Sequence, residues 1–284
     1  MTSSHDGFSA KLPRFFRLVD ACVAPGCPVC RALIADSRHY LEALLYEQVN
    51  DPDTRRRLRA AWGLCNQHTW MLGEVSDSAF GSAIIHEDML RVVGRQFERR
   101  RAFESSSLWR RLWHLVSRTQ RPLIVDLRDR RPMCPACQER IVSEREYVQV
   151  ALRFVDDRDL QRAYARSDGY CVPHALQAVE MGPPERADAL IALALPKWAA
   201  VRQDLGEFIE KHDHRNTRPF TDTDRAISGR ALEALAGARG GFDSDAHGTT
   251  RAATARSARV VAELRAEVER LRAELGRAKS GMSD

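Results

Sequence analysis

Apolar residues recur at intervals of three and four along most of the first 211 positions. This spacing places them on one side of an α-helix. The clearest segment begins after Cys30, and its apolar residues are Leu33, Ile34, Tyr40, Leu41, Leu44, Leu45 and Val49. Segments of the same kind cover about 82–103, 137–155 and 185–211. The pattern predicts an all-α fold.

Turn-forming residues separate these segments. Asp51 is suited to cap a helix that starts at Pro52, because an aspartate accepts hydrogen bonds from first-turn amides and proline fits the first helical position. Gly63 is suited to end that helix just before Cys65.

The last third of the chain differs. Residues 212–258 lose the apolar period and are rich in Gly, Ala, Ser, Thr, Asp and Arg, which predicts a flexible linker. Order returns at 259–279, where apolar residues alternate at intervals of three and four: Val261, Leu264, Val268, Leu271 and Leu275. This heptad pattern predicts a short parallel coiled coil, formed by a homodimer or with a partner helix. A solvated amphipathic helix is the alternative.

Six of the seven cysteines occur in two CPxC motifs and two CxxH motifs. Cys27 and Cys134 are 107 positions apart, as are Tyr40 and Tyr147, while the two CxxH motifs are 106 apart. One deletion between helices accounts for the change of offset. The sequence therefore predicts two tandem homologous helical units, over 1–117 and 118–211, followed by the linker and the coiled-coil helix.

Each unit offers three thiols and one imidazole, the ligand set of a closed structural zinc site. The predicted ligands are Cys27, Cys30, Cys65 and His68 in the first unit, and Cys134, Cys137, Cys171 and His174 in the second. Two zinc ions per chain are expected, each joining the CPxC and CxxH motifs of one unit. All four motifs are predicted to begin helices, whose positive ends favour thiolates.

Two other chemistries suit the same residues. An iron–sulfur cluster can be held by cysteines with one histidine. A CPxC motif also occurs in thiol–disulfide proteins, although the strand–helix–strand context of that motif is missing here. Four protein ligands leave no open position for substrate, and no acidic general base follows the motifs, so catalytic zinc is not favoured.

The chain carries a net charge of +5, and its most basic segment, Arg91 to Arg131, has twelve arginines and four acidic residues. Aromatic residues are interleaved with these arginines, as in many nucleic-acid-binding surfaces. The candidate contacts are Arg99, Arg100, Arg101, Arg110 and Arg111. A solvated helix face is the simpler interpretation of the same residues.

The first residues contain no apolar secretory segment, and no apolar run reaches the roughly 18–20 residues of a membrane-spanning helix. We therefore expect a cytoplasmic protein that does not enter a membrane. Thiols stay reduced in the cytoplasm, which favours metal binding over disulfides.

The duplicated CPxC…GxCxxH pattern resembles a bacterial family of unknown function, known mainly from actinobacteria and related lineages. The resemblance spans Cys27 to Lys211 and includes Gly63 and Gly169 as well as the eight predicted ligands. It implies a helical metal-binding protein and no established activity. We therefore expect a non-catalytic zinc-binding scaffold or adaptor, with a nucleic-acid-associated regulator or an iron–sulfur or thiol redox protein as alternatives.

Overall fold

The predicted all-α fold is confirmed by the computed structural model, which describes residues 13–105 and 132–242. Within these two ranges there are ten helices and no strand. The helices are α1 (Pro13–Ala21), α2 (Pro28–Tyr46), α3 (Pro52–Ala61), α4 (Asn66–Gly73), α5 (Ala79–Ser105), α6 (Pro135–Arg153), α7 (Arg158–Arg166), α8 (Val172–Met181), α9 (Pro184–Lys211) and α10 (Asp222–Ala236).

Two series of four helices follow the same order. Helices α2 to α5 have 19, 10, 8 and 27 residues, and α6 to α9 have 19, 9, 10 and 28. The predicted cap is present, since Asp51 accepts a hydrogen bond from the Thr54 amide and Pro52 begins α3. The predicted boundary at 117–118 and the coiled-coil helix at 259–279 lie outside the described residues.

The central contact is between α2 and α6, which run antiparallel. The start of α2 shares a core cluster with Tyr147, Val148 and Leu152 from the later part of α6. The end of α2 shares the second cluster with the start of α6. Each cluster therefore combines residues from both helix series, and the start of each central helix lies near the end of the other.

The prediction of a flexible linker over 212–258 is wrong for its first part. Helix α10 begins at Asp222 with a capping box, in which Thr221 and Asp224 each accept a hydrogen bond from the backbone of the other. Ile227 is fully buried, and Lys211 at the end of α9 lies 2.6 Å from Asp224. A single apolar anchor and buried polar contacts hold this helix, so apolar periodicity did not reveal it.

Helix α5 has a narrow buried face. Ile85 and Met89 are buried, but Leu90 is 74% exposed and Phe97 is 47% exposed. Asp88 takes a place in the buried face and accepts hydrogen bonds from Arg59 and Arg91. Within the described part of the chain, every helix is too short or too polar to span a lipid bilayer.

Candidate metal centres

The eight predicted ligands form two compact groups, but their pairing differs from the prediction. One group, site A, contains Cys27, Cys30, Cys171 and His174. The other group, site B, contains Cys65, His68, Cys134 and Cys137. Each site joins the CPxC motif of one helix series to the CxxH motif of the other. The prediction that each unit holds a metal between its own two motifs is therefore wrong.

Helix lengths explain the crossed arrangement. At about 1.5 Å per residue, α2 is about 28 Å long and α3 is about 15 Å long. Helix α3 is therefore only about half as long as α2. Cys65 shares a core cluster with the end of α2, whereas Cys27 at the start of α2 belongs to the other cluster. The antiparallel helix α6 instead brings Cys134 and Cys137 next to Cys65, in the same core cluster.

The ligand atoms of each site are close enough to share one ion. Within each group they all lie within 4.8 Å of one another. In site A the Cys30 and Cys171 sulfurs are 3.8 Å apart, and His174 Nδ1 lies 3.4, 3.5 and 3.1 Å from the sulfurs of Cys27, Cys30 and Cys171.

Site B has nearly the same dimensions. The Cys65 and Cys137 sulfurs are 3.6 Å apart. His68 Nδ1 lies 3.2, 3.3 and 3.8 Å from the sulfurs of Cys65, Cys137 and Cys134. All eight ligand residues are buried, so neither group offers a substrate a direct path to its ligands.

Each cysteine that opens a motif also precedes a helix. Cys27 and Cys134 are N-cap residues, followed by proline at the first helical position of α2 and α6. Cys65 and Cys171 are the N-cap residues of α4 and α8. Two helix N-termini therefore face each ligand group, and their partial positive charge stabilises thiolates. This confirms the predicted placement of the motifs at helix starts.

Two glycines set the direction of the CxxH motifs. Gly63 and Gly169 have φ angles of +93° and +94°, in the left-handed region that glycine adopts without a Cβ clash. Each turns the chain two residues before the cysteine that begins α4 or α8.

The thiols in each group favour one strongly acidic sulfur. In site A, burial raises the pKa of Cys27, but hydrogen bonds from Cys171 and Cys30 and the nearby His174 bring it well below its usual value. In site B, hydrogen bonds from Cys137 and Cys65 lower the pKa of Cys134 to about 3. In site A, burial lowers the pKa of His174, but its contacts with Cys171, Cys27 and Glu144 outweigh that effect and raise this pKa well above its usual value. A metal-free site A therefore pairs a buried thiolate with a protonated imidazole.

Only site A has a carboxylate beside its histidine among the described residues. Glu144 Oε1 lies 3.3 Å from His174 Nε2, and Arg140 Nη1 lies 3.1 Å from Glu144 Oε2. Both side chains are largely buried: Glu144 is 13% exposed and Arg140 is 5% exposed. In site B, His68 Nε2 is buried and has no carboxylate within ion-pair distance in the described ranges. Neither imidazole Nε2 meets the full geometry of a hydrogen bond, so the difference between the sites is the nearby Glu144 carboxylate.

Neither Arg140 nor Glu144 was predicted from the sequence as a neighbour of a site. Arg140 and Glu144 are three and seven positions after Cys137, so helical spacing puts them on the same side of α6 as a predicted ligand. Because Cys137 belongs to site B, this spacing gives no indication of their contacts with site A. The seventh cysteine, Cys22, is also buried, and burial together with the charge of Cys27 raises the pKa of its thiol to about 12.

A family model matches residues 16–240 of the chain. The chain belongs to DUF6062, a family of unknown function. The DUF6062 match starts within α1 and ends after α10, so it includes both sites and extends about thirty residues past Lys211, where the resemblance was expected to end. Comparison with curated proteins and with solved structures gives no match.

Proposed function

We propose that this protein is a zinc-binding helical scaffold, in which two structural zinc ions join the two helix series. The single observation that carries the proposal is the geometry of the ligand groups. Two sets of three sulfurs and one imidazole nitrogen, each buried and within 4.8 Å, occur in one chain. We place its action in the cytoplasm of a bacterium, where thiols remain available as ligands.

The distances favour one tetrahedral ion per site. Zn–S bonds of about 2.3 Å and Zn–N bonds of about 2.0–2.1 Å give tetrahedral edges of about 3.8 Å between sulfurs and about 3.5 Å from sulfur to nitrogen. The observed sulfur separations are 3.8 and 3.6 Å, and the nitrogen lies 3.1–3.8 Å from the sulfurs. An iron–sulfur cluster distributes its protein ligands over several irons and needs them farther apart.

The crossed pairing gives the ions a mechanical role. Cys30 and Cys171 are 141 positions apart, and Cys137 and Cys65 are 72 apart. An ion that holds such distant residues restricts the unfolded chain strongly, and structural zinc contributes on the order of 10 kcal/mol in small modules. Four protein ligands complete each tetrahedron, which supports a structural role and not a catalytic one.

Elemental analysis of the purified full chain tests this proposal. We expect two zinc ions per chain and no visible absorption. Replacement by Co²⁺ should give the absorption bands of tetrahedral thiolate coordination. Iron in place of zinc, with a brown colour after anaerobic purification, would instead support the redox alternative, and a chain without bound metal would overturn the proposal.

The scaffold role also requires contact with another chain. We propose that Val261, Leu264, Val268, Leu271 and Leu275, which lie outside the described residues, form a two-stranded coiled coil with a second copy or a partner. Removing the residues after Ala258 should halve the mass in solution and leave two zinc ions bound. An unchanged mass would remove the dimer from the proposal.

Nucleic-acid binding by α5 is a second candidate, supported by the exposure of Arg95, Arg99 and Arg101 on this helix. Arg91 contributes less, because its guanidinium pairs with Asp88 and Glu87. The other predicted contacts, Arg110 and Arg111, lie outside the described residues, as does the side chain of Arg100. Binding of DNA or RNA that weakens with salt and is lost in an Arg99→Ala, Arg101→Ala double variant with intact zinc content would favour this candidate.

A further inference from the structure

Residues Gly237–Phe242, which follow α10, lie directly against site A. We name this segment the strap. The Ala238 amide donates a hydrogen bond to Cys30 Sγ at 3.4 Å. The ring of Phe242 packs on the imidazole of His174, with centroids 5.0 Å apart and planes 30° from parallel. The strap therefore contacts one sulfur ligand and the nitrogen ligand of the same site.

A buried charge pair connects the strap to the far side of His174. Arg140 donates a hydrogen bond of 2.9 Å to the Gly241 carbonyl and also pairs with Glu144. Glu144 in turn faces His174 Nε2 at 3.3 Å. A carboxylate on the free nitrogen of a metal-bound histidine fixes the ring and makes it a better ligand. Strap, arginine, glutamate and histidine thus form one continuous chain of contacts.

Helix α10 holds the strap in position. Glu233 receives two hydrogen bonds from Arg31 on α2, at 2.9 and 2.7 Å. Arg230 pairs with Asp204 at 2.8 Å, which ties α10 to α9. Ala238 and Gly241 are themselves buried. The strap is therefore a packed part of the fold at site A.

Within the described residues, site B has neither an acid–base pair like Arg140 and Glu144 nor a strap contact to one of its ligand atoms. The CPxC offset of 107 relates Arg140 and Glu144 of α6 to Leu33 and Ser37 of α2, so no acid–base pair exists at the corresponding positions. Among the contacts of the described residues, the strap touches the CxxH motif of site B through Gln67, whose amide contacts the Gly240 carbonyl and which is not a ligand. Sites A and B thus have the same ligand types, but different residues surround those ligands.

We infer that the strap and Glu144 hold metal in site A, so that site A releases its ion much more slowly than site B. Loss of an outer contact to a metal ligand commonly weakens binding by about 10–100-fold. A chelator must also displace the strap to reach Cys30 and His174. The linkage is reciprocal, so metal in site A keeps the strap in place. This inference rests on the proposed binding of two zinc ions.

The test is time-resolved zinc release from the full chain into an excess of a chromogenic chelator, after two zinc ions have been counted. We expect two phases of one ion each. Cys65→Ser, which disrupts site B, should leave only the slow phase, and Cys171→Ser should leave only the fast one. A zinc content other than two ions per chain would contradict the proposed function. Release of two ions in a single phase, or a slow phase that comes from site B, would overturn this inference alone.

Strap variants then identify the cause. Phe242→Ala and Glu144→Gln should each accelerate the slow phase by about 10–100-fold and leave the fast phase unchanged. Phe80→Ala removes a ring that is 80% exposed on α5 and serves as the matched control, with no effect on either phase. Equal acceleration of both phases, or none, would contradict a specific role for the strap. Circular dichroism of each zinc-loaded variant shows whether its helix content equals that of the wild type, and so detects a general loss of folding. Glu144→Gln conserves side-chain size and remains informative if Phe242→Ala does not fold.

Hydrogen exchange gives a second readout that does not depend on release rates. Loss of the site A ion in Cys171→Ser should increase exchange at Ala238 and its neighbours in the strap. Loss of the site B ion in Cys65→Ser should leave the strap protected. Equal protection of the strap in the two variants would overturn the coupling between the strap and site A.

Discussion

The Cys30 and Cys171 sulfurs lie 3.8 Å apart, although 141 positions separate these residues in the chain. Neither residue shares a site with the second Cys/His motif of its own helix series: Cys30 is separated from Cys65 and His68, and Cys171 from Cys134 and Cys137. The contact exists because α2 and α6 pack antiparallel, which places the start of each helix beside the CxxH motif of the other series. An ion bound in either group would therefore join the two series to each other and would not close one series separately.

Paired substitutions distinguish the crossed sites from sites within each unit. Cys27→Ser with Cys171→Ser affects only site A, so the double variant should still bind one zinc ion. Cys27→Ser with Cys65→Ser affects both sites and should bind none tightly. Zinc per chain, measured after dialysis, checks this. Sites within each unit would give the reverse result, one ion for the second double variant and none for the first.

The motif spacing predicted the eight residues that form the two Cys/His groups, and the three–four period predicted the helices. The pairing of the motifs was not predictable from spacing alone, because it depends on which long helices pack together. The lengths of α2 and α3 contained part of the answer, since α3 is only about half as long as α2 and cannot by itself return the chain to the start of α2. Thr221 and Asp224, three positions apart, were a recognisable capping box for α10 that the missing apolar period obscured.

Chelation should loosen both core clusters, because each contains the three cysteine ligands of one site. Cys27, Cys30 and Cys171 belong to the first cluster, and Cys65, Cys134 and Cys137 belong to the second. Without a cation, several buried thiols and an imidazole are left to satisfy one another. We expect a large loss of thermal stability and of fixed tertiary structure, measured by circular dichroism before and after thorough chelation. An unchanged melting temperature would contradict a structural role for the metal.

The control for chelation uses one site at a time. In Cys171→Ser, hydrogen exchange should increase mainly in the first cluster, which includes Tyr147, Tyr164 and Leu190. In Cys65→Ser it should increase mainly in the second, around Leu44 and Leu72. Re-addition of zinc to the chelated wild-type chain should restore both regions, which excludes irreversible damage as the cause.

Asp88→Asn should destabilise the protein through the buried ion-pair group between α3 and α5. The Asp88 side chain is 2% exposed and lies 2.8 Å from the guanidinium nitrogens of Arg55, Arg59 and Arg91. Only Arg55 would keep a largely buried charge, because the Arg59 and Arg91 side chains are each 47% exposed. Hydrogen bonds to a charged group contribute about 1.5–3 kcal/mol, and we expect a loss in that range. Urea unfolding of the zinc-loaded protein measures the change. Asp53→Asn removes an exposed pair with Arg56 and should cost less than about 1 kcal/mol.

The contribution of Asp88 should also depend on pH. Burial raises the pKa of this carboxyl, but Arg59 and Arg55 outweigh that effect and lower it below the ordinary value of 3.8. The folded state therefore keeps Asp88 charged at a pH where the unfolded chain binds a proton, and the stabilisation is complete above the unfolded pKa. It is lost as the pH falls through the folded value. The difference in unfolding free energy between wild type and Asp88→Asn should be constant near neutrality and shrink below about pH 4.

Gly169→Ala should destabilise the turn that leads into α8 more than Gly63→Ala destabilises the turn into α4. Both positions have left-handed φ angles, which cost a residue with a Cβ about 1–2 kcal/mol. A Cβ at Gly169 would also lie 2.8 Å from Cβ and Cγ of Lys197, whereas the nearest atom at Gly63 is Met89 Cγ at 3.4 Å. The ammonium group of Lys197 is held by the carbonyls of Ala165 and Ser167, at 2.7 and 2.8 Å, which restricts its retreat.

Gly94→Ala is the matched control for these turn variants. Gly94 lies within α5, and among the described residues no atom beyond the backbone of α5 itself would lie within 4 Å of a Cβ at this position. Alanine should therefore stabilise the helix by about 0.5–1 kcal/mol. Urea unfolding of the zinc-loaded variants provides all three free energies. Gly169→Ala should also weaken metal binding at site A without affecting site B, because it moves Cys171 and His174 together. A Gly169→Ala variant as stable as Gly94→Ala would show that the turn tolerates a side chain and that its left-handed geometry does not position the CxxH motif.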